Sequence, residues 1–267
     1  MTEILPTMDD DAVMDFVANG YVVLEGAVDE DFNRHCSTAS KGAQVSALID
    51  SPDFVREVLL QVQIAGVVRS LLGADFLVPR RGHNHLFEAP HVGQTWHSDG
   101  LSGSGWDVTE LQCYYYPEAV NPEDGPTTIL PGSHCRAVDR EAISHYGDIV
   151  GQVPLVVPAG TVALTRYGIW HKAGAKLNHK YRSMIKFSYF RQAAPRRDWL
   201  IESEEVPEYV DRARMPYVSE VEAYRDSMRR IRTWNWLCGL DEAAYNRRER
   251  VWPAMVHEAR PASEIAV

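Results

Sequence analysis

Apolar and polar positions follow different periods in three successive parts of the chain. In the first part, residues 10–19 begin with acidic side chains and stop at Asn19-Gly20, which predicts a short helix. Residues 21–24, Tyr-Val-Val-Leu, predict a strand. Residues 53–72 have apolar side chains at helical spacing and stop at Gly73, so a further helix is expected there. The first 75 residues are therefore expected to be mixed, with helices dominating.

The middle part of the chain has the pattern of an all-β domain. Short β-rich runs alternate with glycine and proline at intervals of roughly 8–15 residues. These runs cover residues 76–78, 83–87, 111–116, 127–130, 153–157, 161–164 and 183–190. Evenly spaced short strands with such turn residues are typical of a sandwich or a barrel, of which the jelly roll is one example.

The last part of the chain returns to a helical pattern. Residues 218–237 place apolar side chains at three- and four-residue steps, and Gly239 lies where such a helix would end. The stripe consists of Val221, Tyr224, Met228, Ile231 and Trp234. We expect this stripe to pack against the outside of the β-core. An alternative is that Trp234 and Trp236 line a substrate entrance or a subunit contact.

Together these patterns predict a single, mainly β domain with flanking helices over residues 1–267. A mixed region at 1–75 and a mainly helical region at 192–267 are expected to pack outside a jelly-roll core at 76–191. The chain has 267 residues, of which 45% are hydrophobic, and this is enough to bury a sizeable core.

Composition and charge narrow the classes of partner. The formal net charge of −10 argues against nucleic-acid binding and against docking on an anionic membrane surface. The four cysteines are scattered without a CxxC pair, so free thiols in a reducing compartment are expected. The acidic N-terminus does not resemble a signal or transit peptide, and no apolar run is long enough for a membrane span. We therefore expect a cytoplasmic protein, and its oligomeric state stays open.

The strongest chemical signal is a set of two histidines and one aspartate. His97 and Asp99 form a His-x-Asp motif, and residues i and i+2 of a strand point to the same face. His171 lies in the segment Ile-Trp-His-Lys-Ala-Gly. Two imidazoles and one carboxylate make the facial triad of non-haem Fe(II) oxygenases, which leaves other coordination positions open.

Arg182, at the start of the run 183–190, supports this interpretation. An arginine that points into a barrel needs an anionic partner, because a buried unpaired charge is costly. A planar guanidinium binds a carboxylate through two parallel hydrogen bonds. The distal carboxylate of 2-oxoglutarate would be such a partner.

With these residues the chain resembles the phytanoyl-CoA dioxygenase family of Fe(II)- and 2-oxoglutarate-dependent oxygenases. The resemblance covers roughly residues 16–191. It rests on the opening Asn-Gly-Tyr-Val-Val-Leu-Glu-Gly at 19–26, on Trp-His-Ser-Asp at 96–99, and on Glu-Asp-Gly-Pro-Thr-Thr-Ile-Leu-Pro-Gly-Ser-His at 123–134. His171 and Arg182 follow at the family's spacing. One departure is Lys176, because the family usually has an asparagine near this position and here Asn178 comes two residues later.

The resemblance implies a double-stranded β-helix, a cupin-like jelly-roll barrel with helices outside. It implies that His97, Asp99 and His171 bind Fe(II), that Arg182 binds the distal carboxylate of 2-oxoglutarate, and that Asn84 and Tyr115 contact the same cosubstrate. O2 would be the second cosubstrate, and ascorbate the reductant needed in vitro.

The implied reaction is oxidation of an unactivated C–H bond of a small molecule, with release of succinate and CO2. An intact Asp99 favours hydroxylation, or a variant such as desaturation or ring formation. Candidate substrate contacts are His85 (with its neighbour His83), Tyr114 or Tyr116, Arg81 and Trp170. Packing or surface positions are the alternatives for each of these side chains. The sequence does not identify the substrate.

Two other functions remain open from the residues alone. One is a non-catalytic jelly-roll module that binds a ligand, although such a module would be expected to lose part of the triad. The other is a metal-dependent jelly-roll enzyme that does not use 2-oxoglutarate, which would leave Arg182 unexplained. The loop 102–106, Ser-Gly-Ser-Gly-Trp, is a candidate lid or an ordinary connection.

Overall fold

The structure is a computed structural model. It describes residues 3–41, 45–99, 106–136, 140–216, 219–240 and 259–265. The glycine-rich part of the candidate lid, residues 102–105, lies outside the described residues.

The N-terminal region is helical around one strand. Its helices are α1 (Asp10–Asn19), α2 (Glu30–Ala39), α3 (Val45–Ile49), α4 (Pro52–Phe54) and α5 (Val62–Leu72). The predicted helix at 10–19 is confirmed: Asp9 caps its start by accepting a hydrogen bond from the Ala12 backbone. Gly20 ends α1 with φ 82°, a left-handed conformation that favours glycine.

The single helix predicted at 53–72 is wrong, because the chain forms two helices there. A π-helical turn over Val55–Leu59 follows α4, and Leu60 leaves helical geometry with φ −114°. The side-chain oxygen of Gln61 then accepts hydrogen bonds from the Gln63 and Ile64 backbones and begins α5. This side-chain cap gives α5 its own start, which apolar spacing alone does not reveal.

The described strands form two antiparallel sheets. In chain order they are β1 (Tyr21–Leu24), β2 (Leu77–Val78), β3 (His83–Asn84), β4 (Glu110–Tyr116), β5 (Thr127–Ile129), β6 (Val153–Pro154), β7 (Thr161–Arg166), β8 (His171–Ala173), β9 (Ile185–Phe190) and β10 (Arg260–Pro261). The major sheet has the order β1-β7-β4-β9-β2-β10, with β3 also paired to β9. The minor sheet has the order β6-β5-β8.

The two faces of the major sheet pack against different layers. On the inner face, Tyr114, Tyr116 and Ala163 pack in one cluster with Ile129 of the minor sheet. On the outer face, strand residues such as Tyr115 and Phe187 join a large cluster that also contains residues of α1, α2, α5 and of a C-terminal helix. Two antiparallel sheets with helices packed on the outer face confirm the predicted mainly β fold with flanking helices.

Strand β4 shows this division residue by residue. Leu111, Cys113 and Tyr115 belong to the outer cluster. Tyr114 and Tyr116 belong to the inner one. Since side chains alternate along a strand, Glu110 and Gln112 also face inward. All seven side chains of β4 are buried, so the inner face is a closed polar and aromatic wall.

The C-terminal region differs from the expected mainly helical extension. Residues 192–216, all of them described, form no helix or strand, and β10 adds an edge strand to the major sheet. The guanidinium of Arg197 donates to both carboxylate oxygens of Asp10 at 3.1 and 2.6 Å, and the Trp199 indole donates to the same carboxylate. This irregular stretch is therefore fastened to α1 by side-chain hydrogen bonds.

Helix α7 (Glu220–Leu237), which comes after the short helix α6 (Arg140–Ile143), forms where it is predicted, but its expected apolar stripe is wrong over the first half. Its members Val221, Tyr224 and Met228 are exposed at 58%, 66% and 46%. The side chains buried on the other face are Asp226 and Arg230, which are paired with Arg136 and Asp211 respectively. Ion pairs thus decide the orientation of this half, while Trp234, Trp236 and Leu237 anchor the second half in the core.

Two expectations about the environment can be compared with the structure. The four cysteines are all unpaired and buried, as expected for free thiols. Among the described helices, none combines the length and the apolar character required to cross a membrane.

Candidate metal centre and active site

His97 and His171 are brought together by a short backbone bridge. The His97 amide donates to the His171 carbonyl at 3.0 Å, and the His171 amide donates to the His97 carbonyl at 2.8 Å. Their ring centroids are 4.4 Å apart. Two residues distant in the sequence are therefore held side by side by main-chain hydrogen bonds, independently of any ligand.

Both imidazoles turn the same nitrogen toward a common point. Nδ1 of His97 lies 2.9 Å from the Thr95 carbonyl, and Nδ1 of His171 lies 3.1 Å from the Ile169 carbonyl. These contacts leave each Nε2 free to bind a metal ion and fix the ring orientation, as backbone carbonyls commonly do for metal-binding histidines. Burial lowers the pKa of His171 to about 3, so its ring is neutral, the form that binds metal.

Asp99 completes the set. Its Oδ2 lies 3.5 Å from His171 Nε2, and one ligand atom from each of His97, Asp99 and His171 lies within 4.8 Å of the others. Asp99 occupies a bend after the bridge residue His97, so the expectation that both lie on one strand is only half met. The donor set of two imidazoles and one carboxylate fits an Fe(II) ion with open coordination positions.

Two donors hold the Asp99 carboxylate in place. Gln112 Nε2 donates to Asp99 Oδ2 at 2.7 Å, and the Tyr114 hydroxyl donates to Gln112 Oε1 at 2.5 Å. The Lys186 ammonium forms an ion pair with the same carboxylate oxygen. Burial by itself would raise the pKa of Asp99, but His171, Lys186 and Gln112 hold this pKa below its ordinary value. Asp99 is therefore a carboxylate at neutral pH.

Arg182 lies three residues before β9, and part of its hydrogen-bonding capacity is unused. Its side chain is 1% exposed, and Nη2 donates to Thr127 Oγ1 at 3.0 Å. Its Nε and Nη1, like the Tyr116 hydroxyl, are buried without a hydrogen-bond partner among the described residues. The guanidinium carbon lies 5.4 Å from the Phe87 ring centroid and 5.9 Å from that of Tyr116. A buried guanidinium with unpaired donors, next to an unpaired hydroxyl, fits an anionic ligand such as a carboxylate.

We call Arg182, Thr127 and Tyr116 the carboxylate cradle. The strand register places this cradle and the metal centre along one line. Phe87 pairs with Arg182, while His83 and Tyr114 flank Lys186 from the two neighbouring strands. Positions 182 and 186 are separated by roughly 13 Å at the rise of an extended chain. We define the inner wall as the side chains that face the barrel interior here: those of the metal triad, of His85, Phe87 and Arg182, and the inward side chains of β3, β4 and β9.

Two of the expected cosubstrate contacts face the wrong way. The Tyr115 hydroxyl donates to Asn33 Oδ1 at 2.7 Å in the outer core, under α2. Asn84 pairs with the outward residue Ile185, and its side chain donates to the Ser40 carbonyl and accepts from the Ser183 hydroxyl. The structure therefore brings neither side chain to the metal centre or to Arg182, because these positions have the opposite parity from Tyr114 and His83 on their strands.

The expected substrate residues divide in the same manner. His85 and Tyr114 lie on the inner wall: Tyr114 is 5.7 Å from the His171 ring, and burial lowers the pKa of His85 to about 3. Trp170 instead packs in a separate cluster with Trp96, so it lies away from the inner wall. Arg81 is exposed in the segment before β3. The structure thus brings His85 and Tyr114 to the metal centre and does not bring Trp170 or Arg81 there.

Sequence reasoning missed three members of the site: Gln112, Thr127 and Lys186. Gln112 and Lys186 carry a signal, since polar side chains in the middle of buried β runs require a polar partner. Thr127 follows the glycine-proline turn of the 123–134 loop and carries no comparable signal in isolation.

The 123–134 loop itself is structural. His134 Nε2 lies 3.1 Å from the Val17 carbonyl, and a Cβ at Gly20 would lie 2.2 Å from His134 Nδ1. The glycine is therefore required for the ring to pack against the end of α1, and His134 is not part of the metal centre. At the other end of the loop, Asn178 donates to Asp124 at 2.9 Å, and the Lys176 ammonium donates to the Asn178 carbonyl at 2.8 Å. The Lys176 departure thus falls in this loop-supporting network.

Comparison with known families agrees with this geometry. The family model described as phytanoyl-CoA dioxygenase (PhyH) matches residues 24–184, more than half of the chain. The chain belongs to the phytanoyl-CoA dioxygenase family. The match spans all three triad residues and Arg182, and it ends two residues beyond Arg182. No curated protein matches the sequence.

Solved structures with the family's fold are numerous but distant in sequence. HygX from Streptomyces hygroscopicus with nickel and 2-oxoglutarate bound is 17% identical, with a TM-score of 0.57 over 80% of this chain and 97% of that chain. The epimerase SnoN in complex with Fe3+, α-ketoglutarate and nogalamycin RO is 19% identical, with a TM-score of 0.53 over 79% and 98%. The non-haem monooxygenase ThoJ is 16% identical, with a TM-score of 0.52 over 85% and 98%. At these identities the likeness shows a shared double-stranded β-helix fold.

Proposed function

We propose that this phytanoyl-CoA dioxygenase family member is an Fe(II)- and 2-oxoglutarate-dependent oxygenase. In this proposal it hydroxylates, or otherwise oxidises, an unactivated C–H bond of a small molecule, with release of succinate and CO2. His97, Asp99 and His171 bind the iron, and Arg182 binds the distal carboxylate of 2-oxoglutarate. Iron, 2-oxoglutarate and O2, when bound, supply the oxidising chemistry, and the protein supplies position and shelter from water.

One observation carries the proposal. Three metal-ligand atoms within 4.8 Å of one another share the barrel interior with a buried arginine whose Nε and Nη1 have no partner among the described residues. A metal triad alone is compatible with many jelly-roll enzymes, and a buried arginine alone is compatible with a structural role. Their combination on one inner wall fits a ligand that binds a metal at one end and carries a carboxylate at the other.

The remaining side chains have definite tasks in this arrangement. Thr127 and Tyr116 lie next to the Arg182 guanidinium and complete the carboxylate cradle. Gln112, itself oriented by Tyr114, holds Asp99 and so sets the direction of its ligating oxygen. The buried side chains on the inner face of β4 shield the site from water on that side.

The type of substrate follows less directly. HygX is known in a complex with nickel, 2-oxoglutarate and hygromycin B, and SnoN in a complex with nogalamycin RO. These are small organic molecules, which supports a small-molecule substrate for this chain as well. The complete triad, including Asp99, supports hydroxylation as the reaction.

The first test is succinate formation by purified, metal-free protein to which Fe(II), 2-oxoglutarate and ascorbate are added under air. We expect slow turnover even without substrate. This turnover should be lost in His97→Ala and should require far more 2-oxoglutarate in Arg182→Ala. His145→Ala is the matched control, because this histidine is exposed and lies outside the triad.

A second measurement separates the proposal from its two alternatives. Fe(II) and 2-oxoglutarate added without oxygen should produce the charge-transfer absorbance of a metal-bound 2-oxoacid. A ligand-binding module without metal chemistry would bind neither component at the triad. A metal enzyme of another kind would bind Fe(II) and give no such absorbance. Absence of both succinate and the absorbance would disprove the proposed function.

A further inference from the structure

Lys186 is a buried cation at the centre of the candidate metal site. Its side chain is 6% exposed on the inward face of β9, and its ammonium forms an ion pair with Asp99 Oδ2. The same oxygen accepts the Gln112 hydrogen bond and lies 3.5 Å from His171 Nε2. The ammonium also lies 5.3 Å from the Tyr114 ring centroid. Lys186 therefore shares one carboxylate with the position that a metal ion would occupy.

We propose that Lys186 is a positioning residue that weakens metal binding and strengthens 2-oxoglutarate binding through its positive charge. This inference rests on the proposed function, since it assumes a metal ion at the triad and a dicarboxylate beside it. It assigns Lys186 a task that neither the triad nor the Arg182 cradle performs.

The first half of the effect follows from charge competition on Asp99. A divalent ion that binds Asp99 must share the carboxylate with the ammonium, and the two cations repel each other across a buried site. Repulsion of this kind is much stronger in a protein interior than in water. Removal of the charge from position 186 should therefore tighten metal binding.

The second half follows from the sign of the incoming cosubstrate. With the metal in place, the described inner wall carries the positive charges of Lys186 and Arg182. Asp99 supplies negative charge, and Glu110, buried beside Ser188, lies within electrostatic range. 2-Oxoglutarate brings two negative charges into this space. The Lys186 charge attracts this dianion, so its removal should weaken cosubstrate binding.

Opposite changes in the two affinities distinguish this role from a structural one. A variant that only damages the site would bind both ligands less well. A variant that only relaxes the packing would change neither in a defined direction. The informative substitution is Lys186→Met, which keeps the length and apolar stem of the side chain and removes the charge.

The experiment is calorimetric titration of metal-free protein with Ni(II), followed by titration of the Ni(II)-loaded protein with 2-oxoglutarate. We expect Lys186→Met to bind Ni(II) at least tenfold more tightly and 2-oxoglutarate at least tenfold more weakly, each equivalent to about 1.4 kcal/mol. Lys186→Arg keeps the charge, so both of its affinities should stay closer to the wild-type values than those of Lys186→Met. Lys180→Met is the matched control, since Lys180 pairs with Asp124 rather than with a triad residue, and both affinities should change less than twofold.

Thermal unfolding of each metal-free variant establishes that it folds, and Lys186→Gln replaces Lys186→Met if the latter does not. The proposal is overturned if the neutral variant binds Ni(II) no more tightly than the wild type, or if it binds 2-oxoglutarate no more weakly. If the wild-type Ni(II) form does not bind 2-oxoglutarate at all, the proposed function fails. In that case a tighter Ni(II) affinity in the neutral variant would still support the competition on Asp99, and an unchanged or weaker one would refute it.

Discussion

Replacement of Arg182 with methionine should weaken 2-oxoglutarate binding by a hundredfold or more without destabilising the cosubstrate-free protein. The guanidinium is buried, yet its Nε and Nη1 have no partner among the described residues. Such donors satisfy their hydrogen bonds only when a ligand arrives. Methionine fills much of the same volume beside Phe87 and Tyr116 and leaves no buried charge behind.

The magnitudes follow from the count of hydrogen bonds. Two charge-assisted hydrogen bonds to a carboxylate contribute about 1.5–3 kcal/mol each, so their loss should raise the Kd for 2-oxoglutarate by about two to four powers of ten. In the free protein, removal of two unpaired donors gains about 1–3 kcal/mol each. This gain offsets the lost hydrogen bond from Arg182 to Thr127 and the lost contacts with the two rings.

The assay is thermal or chemical unfolding of the Ni(II)-loaded protein with and without 2-oxoglutarate. At a concentration of 100 times the wild-type Kd, the ligand should stabilise the wild type by about 2.7 kcal/mol. With a Kd raised a hundredfold or more, the same concentration should stabilise Arg182→Met by no more than about 0.4 kcal/mol.

Arg191 supplies the matched control. It is a buried arginine directly after β9, and its guanidinium donors have hydrogen-bond partners. Its guanidinium donates to the Leu71 and Val108 carbonyls and to Asp198. Arg191→Met should lower the free energy of unfolding by about 3 kcal/mol or more and leave the 2-oxoglutarate affinity unchanged. If Arg182→Met is destabilised as much as Arg191→Met and still binds the cosubstrate, the assignment of the cradle is refuted.

Three further predictions test other parts of the site. Tyr116→Phe should weaken 2-oxoglutarate binding in a titration, whereas Tyr115→Phe should leave it unchanged and cost about 1 kcal/mol of unfolding free energy through the lost bond to Asn33; equal effects on binding would mean that the faces of β4 are assigned wrongly. A chelator should lower the melting temperature of the metal-loaded wild type and have no effect on His171→Ala, and a fall in both would place the stabilising ion elsewhere. Burial raises the pKa of Glu110 from 4.5 to about 7, so the folded state binds more protons than the unfolded state between these values. The metal-free wild type should therefore lose stability relative to Glu110→Gln as pH rises from about 5 to about 8, in urea titrations at each pH, and a flat difference would contradict the buried carboxyl.

The metal centre could be predicted from the sequence because each ligand carries its own local signal. His-x-Asp, a second histidine in a β-rich context and an arginine at a strand start are patterns with a chemical reason, and the structure brings all four side chains to one inner wall. The evenly spaced strands of 76–191 predict two-layer β architecture for the same reason. Local signals of this kind survive whatever the rest of the chain does.

The placement of Tyr115 and Asn84 on the outer face could not be predicted, because strand parity is not a local property. Alternation shows that Tyr114 and Tyr115 face opposite sides, but which side is the interior depends on how β4 pairs with its neighbours. Both sides of β4 are buried, so hydrophobicity does not distinguish them. The same holds for Asn84, whose amide forms hydrogen bonds with polar groups of the outer layer.

The prediction of the buried face of α7 was wrong for a different reason. An apolar stripe normally decides which face is buried. Here the ion pairs of Asp226 and Arg230 with residues distant in the sequence hold the polar face inward. Such partners are unknown until the chain is folded, so periodicity alone gives the helix and not its orientation.

Because β4 is buried on both faces, this one strand contributes to two layers of the protein. Positions 110, 112, 114 and 116 face the barrel interior, while the intervening positions 111, 113 and 115 pack against the helical layer. Substitutions at the even positions should therefore change the support of Asp99 and the binding of an anion at Arg182, whereas substitutions at the odd positions should change the packing between the sheet and the helices.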